Sequence, residues 1–357
     1  LCLACKACKT ECPSSVDMAR LKMEYLAHVQ ETEGVPWRSR LFGHIARLDA
    51  LAAPIAPLAN LILQTPPARR ALTALGIHPA RALPPFARQT FSAWFKRRAL
   101  PLRPGVNGPV LLFHDTWVEY NHPRVGQAAV RLLEAAGYQV LIAPRRQCCG
   151  RPLLSKGMLA DARRLAQHNV DVLAPYVAQG MSVLGLEPSC ILSFRDEYLA
   201  LLPGNEPARA LAAASFTIEE FLDQERRAGR LHLTFKPGHE QLLLHGHCYQ
   251  KALVGTGPAL ALLRLLPGRQ VGEIEAGCCG MAGSFGYETE HYPISQKIAE
   301  DRLLPAIQAA PQAQIVADGV SCREQIAHFS GRPARHLVEV LAEALVTPER
   351  RKKKRKG

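Results

Sequence analysis

Four cysteines lie at the start of the chain in the pattern C-x2-C-x2-C-x3-C-P, at Cys2, Cys5, Cys8 and Cys12 before Pro13. Thiolates at this spacing are ligands of iron–sulfur clusters. Three thiolates on one short loop hold one cubane, and the fourth, displaced by an extra residue and a proline, binds another cluster in proteins that carry two. We therefore predict that Cys2, Cys5 and Cys8 share one 4Fe-4S cluster and that Cys12 binds a second. Structural zinc on the CxxC pairs is the alternative.

A second group of cysteines is centred on the adjacent pair Cys278 and Cys279. Gly280 follows the pair and can take a positive φ, so the two thiolates can sit on a sharp turn as a compact pair of soft ligands. Cys248 and Cys322 can complete the pair to four thiolates. Such a set suits an iron–sulfur cluster or zinc, and we predict a metal site here.

The same pattern occurs earlier in the chain, where Cys148 and Cys149 precede a glycine and Cys190 follows. Trp117 stands where the repeat would place a counterpart of Cys248, so this set is one ligand short. Buried adjacent thiols without a metal are an open alternative for this copy. We predict an incomplete metal site formed by Cys148, Cys149 and Cys190.

Histidines accompany both sets of cysteines. His245 and His247 directly precede Cys248, and His114 with Asp115 stands at the matching place of the first copy. Imidazole ligates metals and carries protons, but an isolated histidine is more often a structural residue. His245 is the histidine that we include among the candidate ligands.

The elements that must position these cysteines repeat within the chain from Gly108 onward. Apolar strand-like runs alternate with helical segments, and the cysteine motifs recur at nearly equal intervals in both halves. This pattern predicts a duplicated α/β unit, each copy with a sheet covered by helices. The carboxyl ends of the strands gather ligand groups at one edge of such a sheet, so cysteines distant in sequence can meet there. The strands predicted to carry them are 140–143, 183–186, 242–245 and 315–317.

The predicted fold class is α/β, with an N-terminal helical ferredoxin-like segment before two pseudo-repeated cysteine-rich units. The chain starts at Leu1 instead of Met, one residue before a ligand, so we expect a further segment upstream. Ten prolines between residues 34 and 105 predict a connector of short helices. The predicted division is 1–33 for the C-terminal half of a ferredoxin-like domain, 34–107 for a basic proline-rich connector, 108–235 and 236–346 for the two units, and 347–357 for a basic tail.

The net charge of +13 is concentrated in two segments. Residues 36–103 contribute +10 and residues 350–356 contribute +7, so the rest of the chain sums to −4. A basic belt and tail on a slightly acidic body predict contact with an anionic surface, either lipid headgroups or an acidic partner. A solvated loop face and a solubilising tail are the alternative. Nucleic-acid binding is not predicted, because no recognised module accompanies the charge.

Residues 50–68 form the longest stretch without charge, but prolines and polar residues interrupt it. A spanning helix needs about 20 predominantly apolar residues, so we predict peripheral membrane contact and no span. Eleven cysteines in metal-ligand groups, without an apolar signal sequence, indicate a reducing compartment. We therefore expect a cytoplasmic protein that can lie at the inner face of the membrane.

The cysteine motifs and their surroundings resemble the C-terminal part of FAD-linked, iron–sulfur D-2-hydroxyacid dehydrogenases, the group that includes D-lactate and D-2-hydroxyglutarate dehydrogenases. More distantly they are similar to glycolate oxidase iron–sulfur subunits and to the cysteine-rich subunit of heterodisulfide reductase. The matching stretches are LCLACKACKTECPSSVDMARLK, QCCGRPLLSKGM, GLEPSC, HGHCYQKA, GCCGMAGSFGYE and VADGVSCREQI. The resemblance implies that an upstream FAD domain oxidises the hydroxyacid and that this chain, inactive alone, passes the electrons to a quinone or another acceptor.

One departure from the heterodisulfide reductase pattern limits the resemblance. The modules of that family end in CxxC, whereas Glu187 and Gly319 occupy the first position of that pair here. Four thiolates per site would suit an ordinary cluster or zinc. A thiol/disulfide reductase that acts through the C-terminal site and a zinc-stabilised scaffold are the alternative functions.

Overall fold

The first part of the molecule is built from short helices. The structure, a computed structural model, describes residues 2–98 and 105–346, so the predicted tail 347–357 and part of the predicted connector lie outside the described residues. A 3-10 turn, Ala53–Ile55, joins two of the helices. The helices are α1 Ala7–Glu11, α2 Met18–Glu33, α3 Trp37–Gly43, α4 Ile45–Ala52, α5 Ala56–Gln64, α6 Pro66–Ala74 and α7 Phe91–Arg97.

Helices α4 and α5 form one nearly continuous helical run, Ile45–Gln64, which by length and composition alone could cross a membrane. Prolines do divide the predicted stretch 50–68, because Thr65 before Pro66 is extended and ends the helix, but Pro54 and Pro57 do not end the run. Pro54 and Pro57 lie in the first turns of the 3-10 segment and of α5, where the missing N–H removes no helical hydrogen bond. Only 11% of the most apolar window is buried, so most of the run faces outward.

The helical run Ile45–Gln64 has two distinct faces. Asp49 and Ala56 are buried against the protein, and the Asn60 side chain bonds both the N–H and the carbonyl oxygen of Phe86. Their spacing places these three residues on one stripe of a helix. The opposite stripe is apolar and exposed, and consists of Leu48, Leu51, Ile55, Leu58 and Ile62. The run is therefore an amphipathic surface helix with its apolar face uncovered.

The first α/β unit is built around a parallel sheet of strands β1 Pro109–Phe113, β2 Gln139–Leu141, β3 Val183–Gly185 and β4 Ser215–Thr217, in the order β2-β1-β3-β4. Four of the five residues of β1 are buried, as expected for a parallel strand covered on both faces. Its helices are α8 Thr116–Tyr120, α9 Pro123–Ala135, α10 Arg151–Ser155, α11 Leu159–Val177, α12 Pro188–Arg195, α13 Glu197–Leu201, α14 Glu206–Ala214 and α15 Ile218–Arg227.

The second unit repeats this arrangement with strands β5 Gln241–Leu244, β6 Gln270–Glu273, β7 Gln314–Val316 and β8 Ala334–Arg335, in the order β6-β5-β7-β8. All paired strands in both sheets are parallel. Its helices are α16 Cys248–Leu253, α17 Gly257–Leu263, α18 Tyr292–Asp301, α19 Leu303–Ala309, α20 Val320–Ser330 and α21 Leu337–Ala344, with a 3-10 turn at Phe285–Tyr287.

The equal strand order of the two sheets confirms the predicted α/β class with two pseudo-repeated units. The units share one core, because Leu112 of β1, Leu242 of β5 and Leu341 of α21 belong to the same buried cluster. Helix α21 of the second unit packs on α9 of the first. The carboxyl ends of the strands lie at one edge of each sheet, and the candidate ligands follow those ends.

Candidate metal centres

In the second unit, the adjacent cysteines Cys278 and Cys279 lie on a loop after β6. Gly280 follows them with a φ of 92°, and a Cβ at this position would lie 2.4 Å from the carbonyl oxygen of Ser295. Only glycine fits this place without displacement of the backbone. The turn that presents the two thiols therefore depends on the glycine after the pair.

The other members of this set follow the carboxyl ends of two strands. His245 comes directly after β5, Cys248 begins α16, and Cys322 lies in the first turn of α20. The ligand atoms of His245, Cys279 and Cys322 lie within 4.8 Å of one another, and all three residues are buried. The topology thus brings together residues that are distant in sequence.

The protonation of these groups favours a bound cation. The hydrogen bond to Cys278 and burial raise the pKa of Cys248 well above its ordinary value, because crowded buried thiolates repel one another. Burial lowers the pKa of His245 to about 3, so its ring is neutral. Both ring nitrogens of His245 are buried, and neither has a hydrogen-bond partner among the described residues. An unpaired buried imidazole is costly, and a metal bound to the ring and the thiolates removes that cost.

These residues fit a thiolate-bound metal ion or an iron–sulfur cluster. Cys248, Cys278, Cys279 and Cys322 would hold it, with His245 as a further ligand. A thiolate-rich donor set selects zinc or iron–sulfur clusters. A cluster would supply one-electron redox chemistry at this place.

Two of the polar residues singled out in the sequence serve as helix caps. The Nδ1 atom of His247 accepts from a backbone N–H of α16, and the Asp115 carboxylate accepts from two N–H groups of α8. His247 and Asp115 therefore hold equivalent positions in the two units, and so do the residues that follow them, Cys248 and Thr116. The prediction that Trp117 replaces the missing cysteine is wrong by one residue, because the repeat intervals alone do not define where the helix begins.

In the first unit, the Sγ atoms of Cys149 and Cys190 lie 3.0 Å apart, and both residues are buried. The hydrogen bond to Cys149 and burial raise the pKa of Cys148 well above its ordinary value, while the nearby Thr116 lowers it. The Thr116 hydroxyl makes no hydrogen bond of ordinary length with the described residues. The first unit thus has three thiols and a hydroxyl where the second has four thiols.

A buried polar network holds the cysteine turn of the first unit. The amide of Asn169 donates to the carbonyl oxygen of Cys148 at 2.9 Å, and the hydroxyl of Tyr198 donates to that of Cys149 at 3.0 Å. Hydrogen bonds in a low-dielectric interior are strong and fix geometry. The backbone that presents Cys148 and Cys149 is therefore held in place by buried hydrogen bonds.

Glu187 and Gly319 stand where a CxxC pair would have its first cysteine, and Glu187 connects the two units. The Glu187 carboxylate accepts from the backbone N–H of Val320 at 2.7 Å and so caps α20 of the other unit. A Cβ at Gly319 would lie 2.3 Å from the ring of His247. Neither place can take a fifth thiol without disturbing these contacts.

The N-terminal motif is anchored on the first unit by Lys6, which is 2% exposed. Its Nζ atom lies 2.9 Å from Asp17, 2.6 Å from Asp196 and 3.1 Å from Glu197. Lys6 has a left-handed backbone with a φ of 63°, a conformation that costs about 1 to 2 kcal/mol outside glycine. The three ion pairs hold the loop in that conformation.

This docking brings Cys5 next to the set of the second unit. Burial raises the pKa of Cys5, a backbone hydrogen bond lowers it, and the neighbouring thiols Cys248, Cys2 and Cys8 raise it. Backbone N–H groups of Val16, Ser14 and Ser15 lower the pKa of Cys12. The assignment of Cys12 to a second cluster stays a prediction.

Arg151 lies between the thiol sets of the two units. Its guanidinium pairs with Glu197 at 3.1 Å and lies 4.6 Å from the centre of the Tyr249 ring. Its positive charge acts on Cys149 of the first unit and on Cys248 of the second. Nothing in the sequence marks Arg151 or Lys6, because their importance comes from positions that only the fold brings together.

Arg81, from the predicted connector, is buried beneath the second set. Its guanidinium donates to the carbonyl oxygen of Gly286 at 2.8 Å and to Gln325 of α20 at 2.6 Å. In the part of the chain that the structure describes, it forms no ion pair with a carboxylate. Burial lowers the pKa of Arg81, while Tyr287, Tyr292, Cys279 and Glu324 raise it. The charge of Arg81 therefore acts on Cys279 of the second set.

We expect Arg81→Met to shift the reduction potential of a centre in the second unit to a more negative value. A nearby positive charge stabilises the reduced state, and its loss costs about 1 kcal/mol, or about 40 mV for one electron. Potentiometric titration followed by electron paramagnetic resonance measures the shift. Arg81→Lys keeps the positive charge and should show a smaller shift in potential than Arg81→Met. Arg302→Met, a change at an exposed arginine, should show no shift. An unchanged potential in Arg81→Met would contradict this role.

Comparisons with known proteins agree with the geometry. The family model described as cysteine-rich domain matches residues 111–195 and 242–327, one range within each of the two units. One of the subunits of anaerobic glycerol-3-phosphate dehydrogenase from Escherichia coli K12 is 30% identical over 310 residues, 86% of this chain and 77% of that protein.

Two further relatives extend the comparison. D-2-hydroxyglutarate dehydrogenase from Escherichia coli K12 is 27% identical over 353 residues, 96% of this chain but 34% of that protein. Lactate utilization protein A from Halalkalibacterium halodurans is 27% identical over 244 residues, 65% of this chain and 96% of that protein. These findings confirm the resemblance to the iron–sulfur part of FAD-linked dehydrogenases.

Proposed function

Because this chain belongs to the cysteine-rich domain family, together with its relative from anaerobic glycerol-3-phosphate dehydrogenase, we propose that it is the electron-transfer part of a flavin-dependent dehydrogenase. A FAD-containing domain or protein, joined or bound to this chain, oxidises a D-2-hydroxyacid of the lactate, glycolate or 2-hydroxyglutarate class, or a related secondary alcohol. The chain passes the electrons to a quinone or a redox protein. It has no substrate oxidation activity of its own.

The convergence of three cysteine sets carries this proposal. Cys5 of the N-terminal motif is close enough to Cys248 for the two thiols to affect each other, and Arg151 acts on thiols of both units. Separate structural zinc sites have no need for such proximity, whereas electron transfer between centres requires it. The cation Arg151 also offsets the negative charge of clustered thiolates.

In this scheme each centre has a place in the path of the electrons. Cys2, Cys5 and Cys8 hold a 4Fe-4S cluster, and Cys12 holds a second cluster that is completed by ligands outside this chain. Electrons reach the second unit through the edge at Cys5 and Cys248. The first unit, with three thiols, receives them across Arg151.

One observation favours a second candidate function. The thiols of Cys149 and Cys190 are 3.0 Å apart, so a first unit without metal could act as a thiol/disulfide reductase by forming a disulfide between them. In that case the protein would hold iron in the N-terminal motif and the second unit alone.

Metal analysis of the anaerobically purified full chain tests the proposal. We expect iron and acid-labile sulfide beyond what one 4Fe-4S cluster contains, and paramagnetic signals after reduction with dithionite. Zinc in place of iron in both units would contradict electron transfer through them and support a scaffold. One disulfide per chain after air oxidation, with the first unit free of iron, would support the reductase.

We further propose that the protein is cytoplasmic and lies on the inner face of the membrane through the helical run Ile45–Gln64. Its polar stripe, with Asp49 and Asn60, is held by the protein, while the opposite leucine and isoleucine stripe is exposed. Arg40, Arg69 and Arg70 flank the run, Arg47 lies in its first turn, and all four suit anionic headgroups. A helix with one face packed on protein fits an interfacial position better than a span.

Substitution of the exposed stripe should release the protein from membranes. We expect Leu51→Glu with Leu58→Glu to lower binding to phosphatidylglycerol vesicles by more than about tenfold, since each change removes the burial of an apolar side chain. Vesicle sedimentation measures the bound fraction. Leu199→Glu with Leu265→Glu, also at exposed leucines, is the matched control and should bind like the wild type. Equal loss in both double variants would count against a specific membrane face.

A further inference from the structure

A cleft of about 540 Å³ lies between the helical run Ile45–Gln64 and α7. Ala53 and Pro54 of the run form one wall, and Arg97 and Thr90 lie on the other side. Tyr120, the last residue of α8, also lines the cleft. The same helical run presents its exposed apolar stripe to the outside, so a molecule dissolved in a lipid surface could reach the cleft along the run.

A buried carboxylic acid lies behind this cleft. Asp49 is 3% exposed, precedes the lining residue Ala50, and has an oxygen without a hydrogen-bond partner in the described part of the chain. Burial raises the pKa of Asp49 to about 7. Asp49 is also one of the groups that raise the pKa of Tyr120, which places the two side chains close together. A carboxyl group in this state can donate a proton near neutral pH.

The cleft is one short helix away from the thiols of the first unit. Helix α8 begins at Thr116, beside Cys148, and ends at Tyr120. Four steps along an α-helix span about 6 Å. An electron carrier in the first unit and a molecule in the cleft would therefore lie at opposite ends of a single helical turn.

We propose that this cleft is the site where a lipid-soluble quinone accepts the electrons of the chain. The proposal rests on the proposed electron-transfer function and deepens it by giving the quinone a binding site on this chain. Thr90, Tyr120 and Arg97 supply hydrogen-bond donors for the quinone oxygens, and the alanines and Pro54 pack on the ring.

Quinone takes up two electrons and two protons to become quinol. The two electrons would come one at a time from an iron–sulfur centre held by the first unit, which would be reduced again between the two transfers with an electron that the flavin took from the substrate. One proton comes from Asp49, which solvent reprotonates, and the other comes from solvent.

Quinone binding is tested directly on the full chain in detergent micelles, with decylubiquinone as the probe. Quinones quench tryptophan fluorescence, and Trp94 on α7 lies next to the lining residue Ala93. We expect saturable quenching by the wild type and an about tenfold weaker affinity for Ala53→Phe, which fills the cleft. Ala71→Phe, on the exposed surface of α6, is the matched control and should bind like the wild type. Arg97→Gln, a change at an exposed residue that leaves the fold intact, should also weaken binding.

Proton delivery is tested with Asp49→Asn. We expect this variant to bind decylubiquinone normally but to reduce it about 100-fold more slowly after reduction with dithionite. Reduction of ferricyanide, which takes one electron and no proton, should be unchanged. Unaltered binding in both Ala53→Phe and Arg97→Gln, or a normal rate of quinone reduction in Asp49→Asn, would overturn the proposal.

Two further outcomes separate this proposal from related ones. One outcome is that phosphatidylglycerol vesicles without quinone displace decylubiquinone from the wild type but fail to displace it from Arg97→Gln. In that case the cleft binds a lipid headgroup through Arg97, and the quinone proposal fails. If the protein binds decylubiquinone but contains no iron in its two units, the proposed electron-transfer function fails, and with it the role of the cleft as a reduction site.

Discussion

Replacement of Cys279 by alanine should empty the metal centre of the second unit and stop electron transfer through it. Cys279 is 4% exposed and its thiol lies among Cys278, Cys322 and His245. Loss of a residue that only orients a ligand costs about 10-fold to 100-fold in metal affinity, so loss of the ligand should cost more than about 100-fold. Iron and sulfide counts on the anaerobically purified variant measure this directly.

The matched change Cys149→Ala in the first unit separates the two centres. It should remove metal from the first unit and leave the content and the paramagnetic signal of the second unit unchanged. Electrons supplied by dithionite should still reach the N-terminal cluster in both variants. A Cys279→Ala protein with its full metal content and an unchanged signal would show that this thiol is not a ligand.

Lys6→Met should detach the N-terminal motif from the first unit. Lys6 is the cation that three carboxylates share, and removal of one partner from a buried ion pair costs about 3 to 5 kcal/mol. We expect the free energy of local opening of residues 2–17 to fall by that amount, because Asp17 loses its partner and the left-handed loop at Lys6 is no longer held. Hydrogen exchange of these amides, followed by mass spectrometry, measures the opening.

Lys9→Met is the matched control for this change. Lys9 has a more exposed side chain and, among the described residues, pairs with Asp196 alone at 3.0 Å, so its loss should cost no more than about 1 kcal/mol. Equal protection of residues 2–17 in Lys6→Met and the wild type would contradict the anchoring role.

Acid should abolish the difference between Lys6→Met and the wild type. Burial raises the pKa of Asp17 and of Asp196, but the hydrogen bond and charge of Lys6 outweigh it and lower both values overall. A carboxyl with a lowered folded pKa stabilises the native state above its unfolded pKa, near about 3.9, and loses that contribution as the pH falls through the folded value. The protection that Lys6 confers should therefore be full near neutral pH, start to fall below about pH 4, and disappear once the pH lies below the lowered folded pKa values of Asp17 and Asp196.

Much of this protein can be predicted from the sequence because its ligands stand in short motifs. The motif at Cys2 to Cys12 and the two Cys-Cys-Gly turns are set by neighbouring residues, and the glycine after each pair is required by a backbone conformation that the motif itself creates. The α/β class follows from alternating apolar strands and helices, which is also a local pattern.

The same local patterns misled where the outcome depended on where a helix begins. Prolines in the segment from residue 50 to 68 predicted interruption, which occurs at Thr65 before Pro66, yet Pro54 and Pro57 fall in first turns, where proline is tolerated. Repeat intervals assigned Trp117 to the place of the missing cysteine, and the caps of α8 and α16 move that place to Thr116.

The sequence alone thus determined which residues can bind metal and which class of fold carries them, since both depend on neighbours in the chain. Only the tertiary structure decided how the sets face one another. Cys5 meets Cys248, Lys6 meets Asp196, and Arg81 meets Gln325 across long stretches of chain. No local pattern encodes such contacts, because they follow from the packing of whole units around a shared core.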